Sequence, residues 1–144
     1  MHPYFDLLSR SGELQDNTAG RYRELWRAYA ADLQRFAVDA QGKSRDLWQS
    51  YFQETRAAGA GDDTSERIGA AQTNFQRAYA ELEERYVHAC KERQRSFACD
   101  QSSLQAEYGQ RSIESLMQYL EALRTSLAQG ASRTPTSRVD DGKS

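Results

Sequence analysis

The chain has 144 residues, 38% of them apolar and 28% charged, with 19 basic and 21 acidic side chains for a formal net charge of −2. That length suits one domain. The balanced charge excludes a global pull toward nucleic acid or acidic membranes, and no stretch approaches the ~20 apolar residues of a membrane span.

Residues 1–17 read as a short N-terminal segment with one helical turn from Phe5 to Arg10, followed by Ser11-Gly12 and Asp16-Asn17. Its start, Met1-His2-Pro3-Tyr4-Phe5-Asp6, has neither a basic n-region nor a long apolar run. The expectation is a chain with no signal peptide, located in the cytoplasm. Tyr4, Phe5, Leu7 and Leu8 flank Asp6 as two bulky pairs. Such a segment either docks as a helical turn in a partner's groove or caps the end of a bundle.

The first long helix is expected over about 18–58, because Asp16, Asn17 and Thr18 are good N-cap residues. Its seam runs Tyr22, Leu25, Trp26, Tyr29, Leu33, Phe36, Ala40, Leu47, Trp48 and Tyr51. At 100° per residue these cover an arc of about 140°. Asp32, Asp39 and Asp46 are expected on the opposite side, and Gly42 is a candidate bend. The run Ala57-Ala58-Gly59-Ala60-Gly61-Asp62-Asp63 is the clearest break. Glycine ends a helix, Asp62, Asp63 or Thr64 caps the next, and so short a loop makes the two helices antiparallel neighbours.

The second helix, about 64–100, has the seam Ile68, Ala71, Phe75, Tyr79, Leu82, Tyr86, Cys90 and Phe97. Phe75, Tyr86, Phe97 and Tyr108 return every eleven residues. The first helix keeps the same step with Leu25, Phe36, Leu47, with Tyr29, Ala40, Tyr51, and with Trp26, Ala37, Trp48. Eleven residues are about three helical turns, so these side chains stack on one face. After Tyr108 the spacing becomes a heptad: Ile113, Leu116, Leu120, Leu123 and Leu127. That change of phase, together with Asp100-Gln101-Ser102-Ser103 and Gly109, predicts a break within 99–110 and a third helix over about 103–129. Residues 130–144 read as a disordered tail. The expected fold is all-α: a long antiparallel helical hairpin or an elongated three-helix bundle, coiled-coil-like with an eleven-residue repeat.

No arrangement of residues points to a reaction. Glu84 and His88 are spaced i,i+4 but have no second copy, so neither a di-metal bundle site nor a zinc pattern is present. Cys90 and His88 point about 200° apart on a helix and cannot act as a pair. Cys90 and Cys99 are half a turn out of phase and ~13 Å apart in rise, too far for a disulfide. Gly59-Ala60-Gly61 follows no strand and precedes no lysine, so it reads as a turn rather than a phosphate loop. Arg85, Lys91, Arg93 and Arg95 are diluted by Glu83, Glu84 and Glu92 and read as a solvated face. Arg93 falls within the seam at the eleven-residue step, and snorkelling outward is favoured over pairing with a facing carboxylate. No catalytic residue, cofactor or metal is expected.

Two functions fit. One is a non-enzymatic helical scaffold or adaptor, binding a protein partner through Tyr4, Phe5, Leu7 and Leu8 or associating with itself along Ile113, Leu116, Leu120, Leu123 and Leu127. The other is a coat protein on an apolar particle. Over residues 18–129 the amphipathic helices containing Ala and Gln, the absence of a membrane span and the polar tail resemble bacterial phasins, which coat polyester storage granules. That resemblance implies adsorption to hydrophobic granules and assigns no functional residues; the many large aromatics depart from it.

Overall fold

Two α-helices make up nearly all of the computed structural model, α1 over Pro3–Ala57 and α2 over Thr64–Arg133. The structure describes residues 2–59 and 61–133. The reason for such long helices lies in the eleven-residue step, which runs further than the aromatics alone suggest. On α1, Pro3, Leu14, Leu25, Phe36 and Leu47 are all half-buried, as are Leu7, Thr18, Tyr29, Ala40 and Tyr51. On α2 the inward columns are Ala71, Leu82, Arg93, Leu104, Ser115 and Phe75, Tyr86, Phe97, Tyr108, Tyr119. A repeat of about 3.67 residues per turn stays nearly in phase with an α-helix, so the inward face does not drift off its partner.

This phase continuity overturns two expected boundaries. The first helix begins at Pro3, not near residue 18, and Ser11, Gly12, Asp16 and Asn17 lie inside it. Pro3 stands at the first helical position, where its missing N–H costs nothing, and the His2 carbonyl accepts hydrogen bonds from the Phe5 and Asp6 amides. The second helix has no break within 99–110, so no separate third helix begins at 103. Each interior glycine costs about 1 kcal/mol relative to alanine, less than breaking the register of a packed face. α2 also extends past 129, so Gly130–Arg133 belong to it rather than to the tail; residues 134–144 of that tail lie outside the described residues.

The turn between the helices is built by backbone polarity. Gly59 adopts a left-handed conformation with φ of 57°, as the residue just past a helix end commonly does. The Thr64 hydroxyl accepts from the Gly61 amide at 2.7 Å. The Asp63 carbonyl accepts from the Arg67 amide, and the Asp63 carboxylate pairs with the Arg67 guanidinium at 3.0 Å.

The chain divides into two compact units. One, residues 22–102, is a helical hairpin. The other joins residues 1–21 to residues 103–144. In each, the helix segments run antiparallel. Within the hairpin unit Trp26 meets Phe97 and Trp48 meets Phe75. Within the second unit Arg21 meets Glu107 and Arg10 meets Gln118. Burial is sparse: the buried apolar residues among those described are Ala58, Ala71, Phe97 and Leu104. A single pair of helices cannot enclose a stripe more than ~100° wide, so most seam residues are only half covered.

Candidate functional site

The hairpin unit is held by two copies of one aromatic cluster. In the first, Phe97 stacks on Tyr29 with ring centroids 4.4 Å apart and meets Trp26 edge-on at 4.6 Å. In the second, Phe75 lies 4.5 Å from Trp48 and 5.2 Å from Tyr51. The clusters are two repeats apart. At the intermediate repeat the sequence has Ala37, Ala40 and Tyr86, and the missing rings leave an open recess of about 310 Å³ lined also by Gln41, Ser44 and Leu82. The Cys90 side chain beside Tyr86 pushes its phenol pKa up, chiefly through a hydrogen bond, then through charge repulsion, with burial adding.

The ion pairs beside the seam lie on one flank of this hairpin, while Glu83 lines the recess on the other. On one flank Arg93 reaches Asp32 at 2.6 Å and lies over the Tyr29 ring, its guanidinium carbon 5.7 Å from the centroid. Asp32 also holds Arg35, and Lys43 holds Asp39. The expectation that Arg93 snorkels outward is therefore corrected: with Asp32 half-buried opposite it, the guanidinium gains a partner without leaving the seam. Asp32 in turn sits at the interface edge, not on the far side of the helix. The other flank carries Trp26, Trp48, Phe52, Tyr79 and Val87, all exposed. Trp26 is 53% exposed and Trp48 44%. The helical angle puts both tryptophans about 60° from the inward tyrosine three residues on, so one ring edge packs and the other faces solvent.

The second unit has the same polarity with a weaker seam. A cleft of about 350 Å³ between its helices is lined by Pro3, Asp6 and Arg10 on α1 and by Ser115, Gln118 and Ala122 on α2. The helical angle places Tyr4 and Leu8 of α1, and Leu116, Leu120 and Leu127 of α2, on the flank away from that cleft. All five are exposed, Leu120 by 49% and Leu127 by 67%. Of the proposed docking residues, Leu7 lines the cleft and is half-buried, whereas Tyr4, Phe5 and Leu8 face outward. Of the proposed seam, Leu123 is half-buried and Ile113, Leu116, Leu120 and Leu127 are exposed. Ser112, Ser115 and Tyr119 occupy the inward positions within the unit. Arg21 holds Glu107 at 2.7 Å, and Arg111 adds a second contact at 2.9 Å. The Arg21 hydrogen bond lowers the Glu107 pKa; desolvation opposes that, and the charges of Arg21 and Arg111 add to it.

Sequence reasoning placed Trp26 and Trp48 in the core seam and missed Phe52, Val87 and Met117 as exposed apolar residues. The signal available was the outer column of α1, Tyr4, Gln15, Trp26, Ala37 and Trp48, which contains no charge in five repeats.

Among the described residues no group of three or more His, Cys, Asp or Glu side chains can hold a metal ion, and no helix is long and apolar enough to cross a membrane. Cys90 and Cys99 are free thiols. Compared with known protein families, curated proteins and solved structures, the chain shows no significant match.

Proposed function

We propose that this protein is a non-enzymatic helical scaffold or adaptor of the cytoplasm that works by covering its exposed apolar flanks with a partner, itself included. The observation that carries this reading is the one-sided exposure of apolar side chains. Ion pairs occupy one flank of each unit, while tryptophans, phenylalanine and leucines stay exposed on the other. Exposed apolar surface of this extent marks an interaction site. Replacing Leu116 and Leu120 together by Gln tests it. Helicity by circular dichroism should hold, because neither side chain is buried, while self-association measured by light scattering, or binding to a purified partner, should fall. Unchanged association and partner binding would remove the leucine flank from the function.

A second reading is a phasin-like coat on an apolar particle, favoured by the same exposed apolar flank, since an interfacial helix presents one apolar face and keeps most of its charges on the other. Flotation with polyester or oil particles separates the two. A protein that rises with the particles, and ceases to when Trp26 and Trp48 are replaced by Gln, acts as a coat. One that stays in the aqueous layer acts on proteins.

A further inference from the structure

The recess in the hairpin unit holds a carboxylate between two phenol rings. Tyr79, Glu83 and Tyr86 all line it from α2. Spacings of four and three residues set Glu83 beside both tyrosines on one face of that helix. Across from them, Ala37 and Ala40 of α1 stand where the neighbouring repeats carry Trp26 and Tyr29 or Trp48 and Tyr51, and about 310 Å³ is left open. We infer that this recess binds an alkylammonium cation of the trimethylammonium class, between Tyr79 and Tyr86 and against the Glu83 carboxylate. Such a ligand needs no partner on the apolar flanks, so the site stands apart from the covering of those flanks.

Distance is the first support. Tyr79 and Tyr86 are seven residues apart, about 10.5 Å of helical rise. A cation midway lies about 5 Å from either ring, inside the ~6 Å over which an aromatic face attracts it. Phe75 stacks on Tyr79 with ring centroids 5.8 Å apart. Phe75 is one turn nearer the N-terminus, so the free face of the Tyr79 ring is the one toward Glu83 and Tyr86.

The same unit makes this arrangement once with a cation of its own. The guanidinium carbon of Arg93 lies 5.7 Å from the Tyr29 centroid, and Arg93 reaches Asp32 at 2.6 Å. In the recess the ring and the carboxylate recur, but the chain supplies no cation. Among the described residues Glu83 makes no ion pair. Its neighbours one turn away on α2, Tyr79, Ala80, Tyr86 and Val87, are uncharged.

The remaining walls decide the class of cation. Rings, alanines and Leu82 suit methyl groups, whereas a metal ion requires a shell of oxygen ligands. The space lies at the small end of ligand sites, which begin at ~300 Å³, and takes a trimethylammonium head with a short tail.

Titration of the full chain with choline chloride, followed by NMR of ring-labelled tyrosine, tests this. The expected result is saturable shifts of Tyr79 and Tyr86 with a Kd of about 1–10 mM. The neutral isostere 3,3-dimethylbutan-1-ol should bind at least about tenfold more weakly. Glu83→Gln, at an exposed position, should weaken choline binding by about tenfold. Ala37→Trp restores the residue of the neighbouring repeats and should fill the recess and abolish binding. Circular dichroism should be unchanged in both variants. No saturation by about 50 mM choline, equal binding of the neutral alcohol, or indifference to either variant overturns the site. A short peptide bearing trimethyllysine then identifies the source of the cation. Tighter binding than choline assigns it to the side chain of a protein partner, and equal or weaker binding to a free small molecule.

Discussion

The hairpin unit and the unit formed by the two chain ends use the same repeat to different effect. In the hairpin, the inward columns carry rings, and Trp26, Tyr29 and Phe97 or Trp48, Tyr51 and Phe75 lock the helices by stacking. In the other unit the same columns carry Leu7, Thr18, Ser115 and Tyr119. There Leu7, Leu14 and the buried Leu104 face inward without stacked rings, and polar contacts, Arg21 to Glu107 and Arg10 to Gln118, join the helices beside them. Leu116, Leu120 and Leu127 stay outside. A repeat therefore sets the phase of a helix independently of what holds it to its neighbour. One unit stacks rings between its helices, and the other leaves a row of leucines exposed.

The comparison can be broken most directly at Phe97, the one buried aromatic among the described residues, 6% exposed. Phe97→Ala should destabilise the hairpin unit by about 3–5 kcal/mol in urea unfolding. A cost below 1 kcal/mol would mean that the stacked clusters do not hold it. Next comes Arg93. Arg93→Met removes the partner of Asp32 on the facing helix, leaving it Arg35 on its own helix, and should cost about 1 kcal/mol. Adding Asp32→Leu should restore much of the loss, since a matched apolar pair is often as stable as the ion pair it replaces.

Acid should act on the other unit. Arg21 holds the Glu107 pKa below its ordinary value, so this pair's contribution is complete above the unfolded-state value and is lost as pH falls through the lowered folded one. Amide exchange around 103–112 should therefore quicken in that acid window, and Glu107→Gln should remove the pair's share of the effect. If the pH response is the same in the variant, the Arg21 contact is not its source. The smallest stability change is expected for Leu120→Asp. The side chain is exposed, so unfolding should shift by no more than about 0.5 kcal/mol, while association through the leucine flank is lost. A large destabilisation would show that the leucines serve their own unit after all.

Much of the fold was legible residue by residue. The columns Tyr29, Ala40, Tyr51 and Phe75, Tyr86, Phe97 announce two amphipathic helices, and Gly59 to Asp63 announce the turn. Two boundaries were not legible. Local signals at Ser11-Gly12 and Ser102-Ser103 argue for breaks, and they lose because Leu7 and Leu14, or Leu104 and Ser115, continue the inward phase across them. Serine at an inward position carries no hydrophobic signal, so the spacing alone does not show that Ser115 rather than Leu116 faces α1.

The sequence by itself determined the period, the helices and the turn, because each follows from side chains within a few residues of one another on the same chain. Only the tertiary structure decided which side of each helix its neighbour covers. The facing surface is set by residues as far apart as Asp32 and Arg93. Pairing them turned an arginine expected to reach solvent into the anchor of one flank. The same choice of side left Trp26 and Trp48 on the other, because two helices can bury no more than the stripe between them.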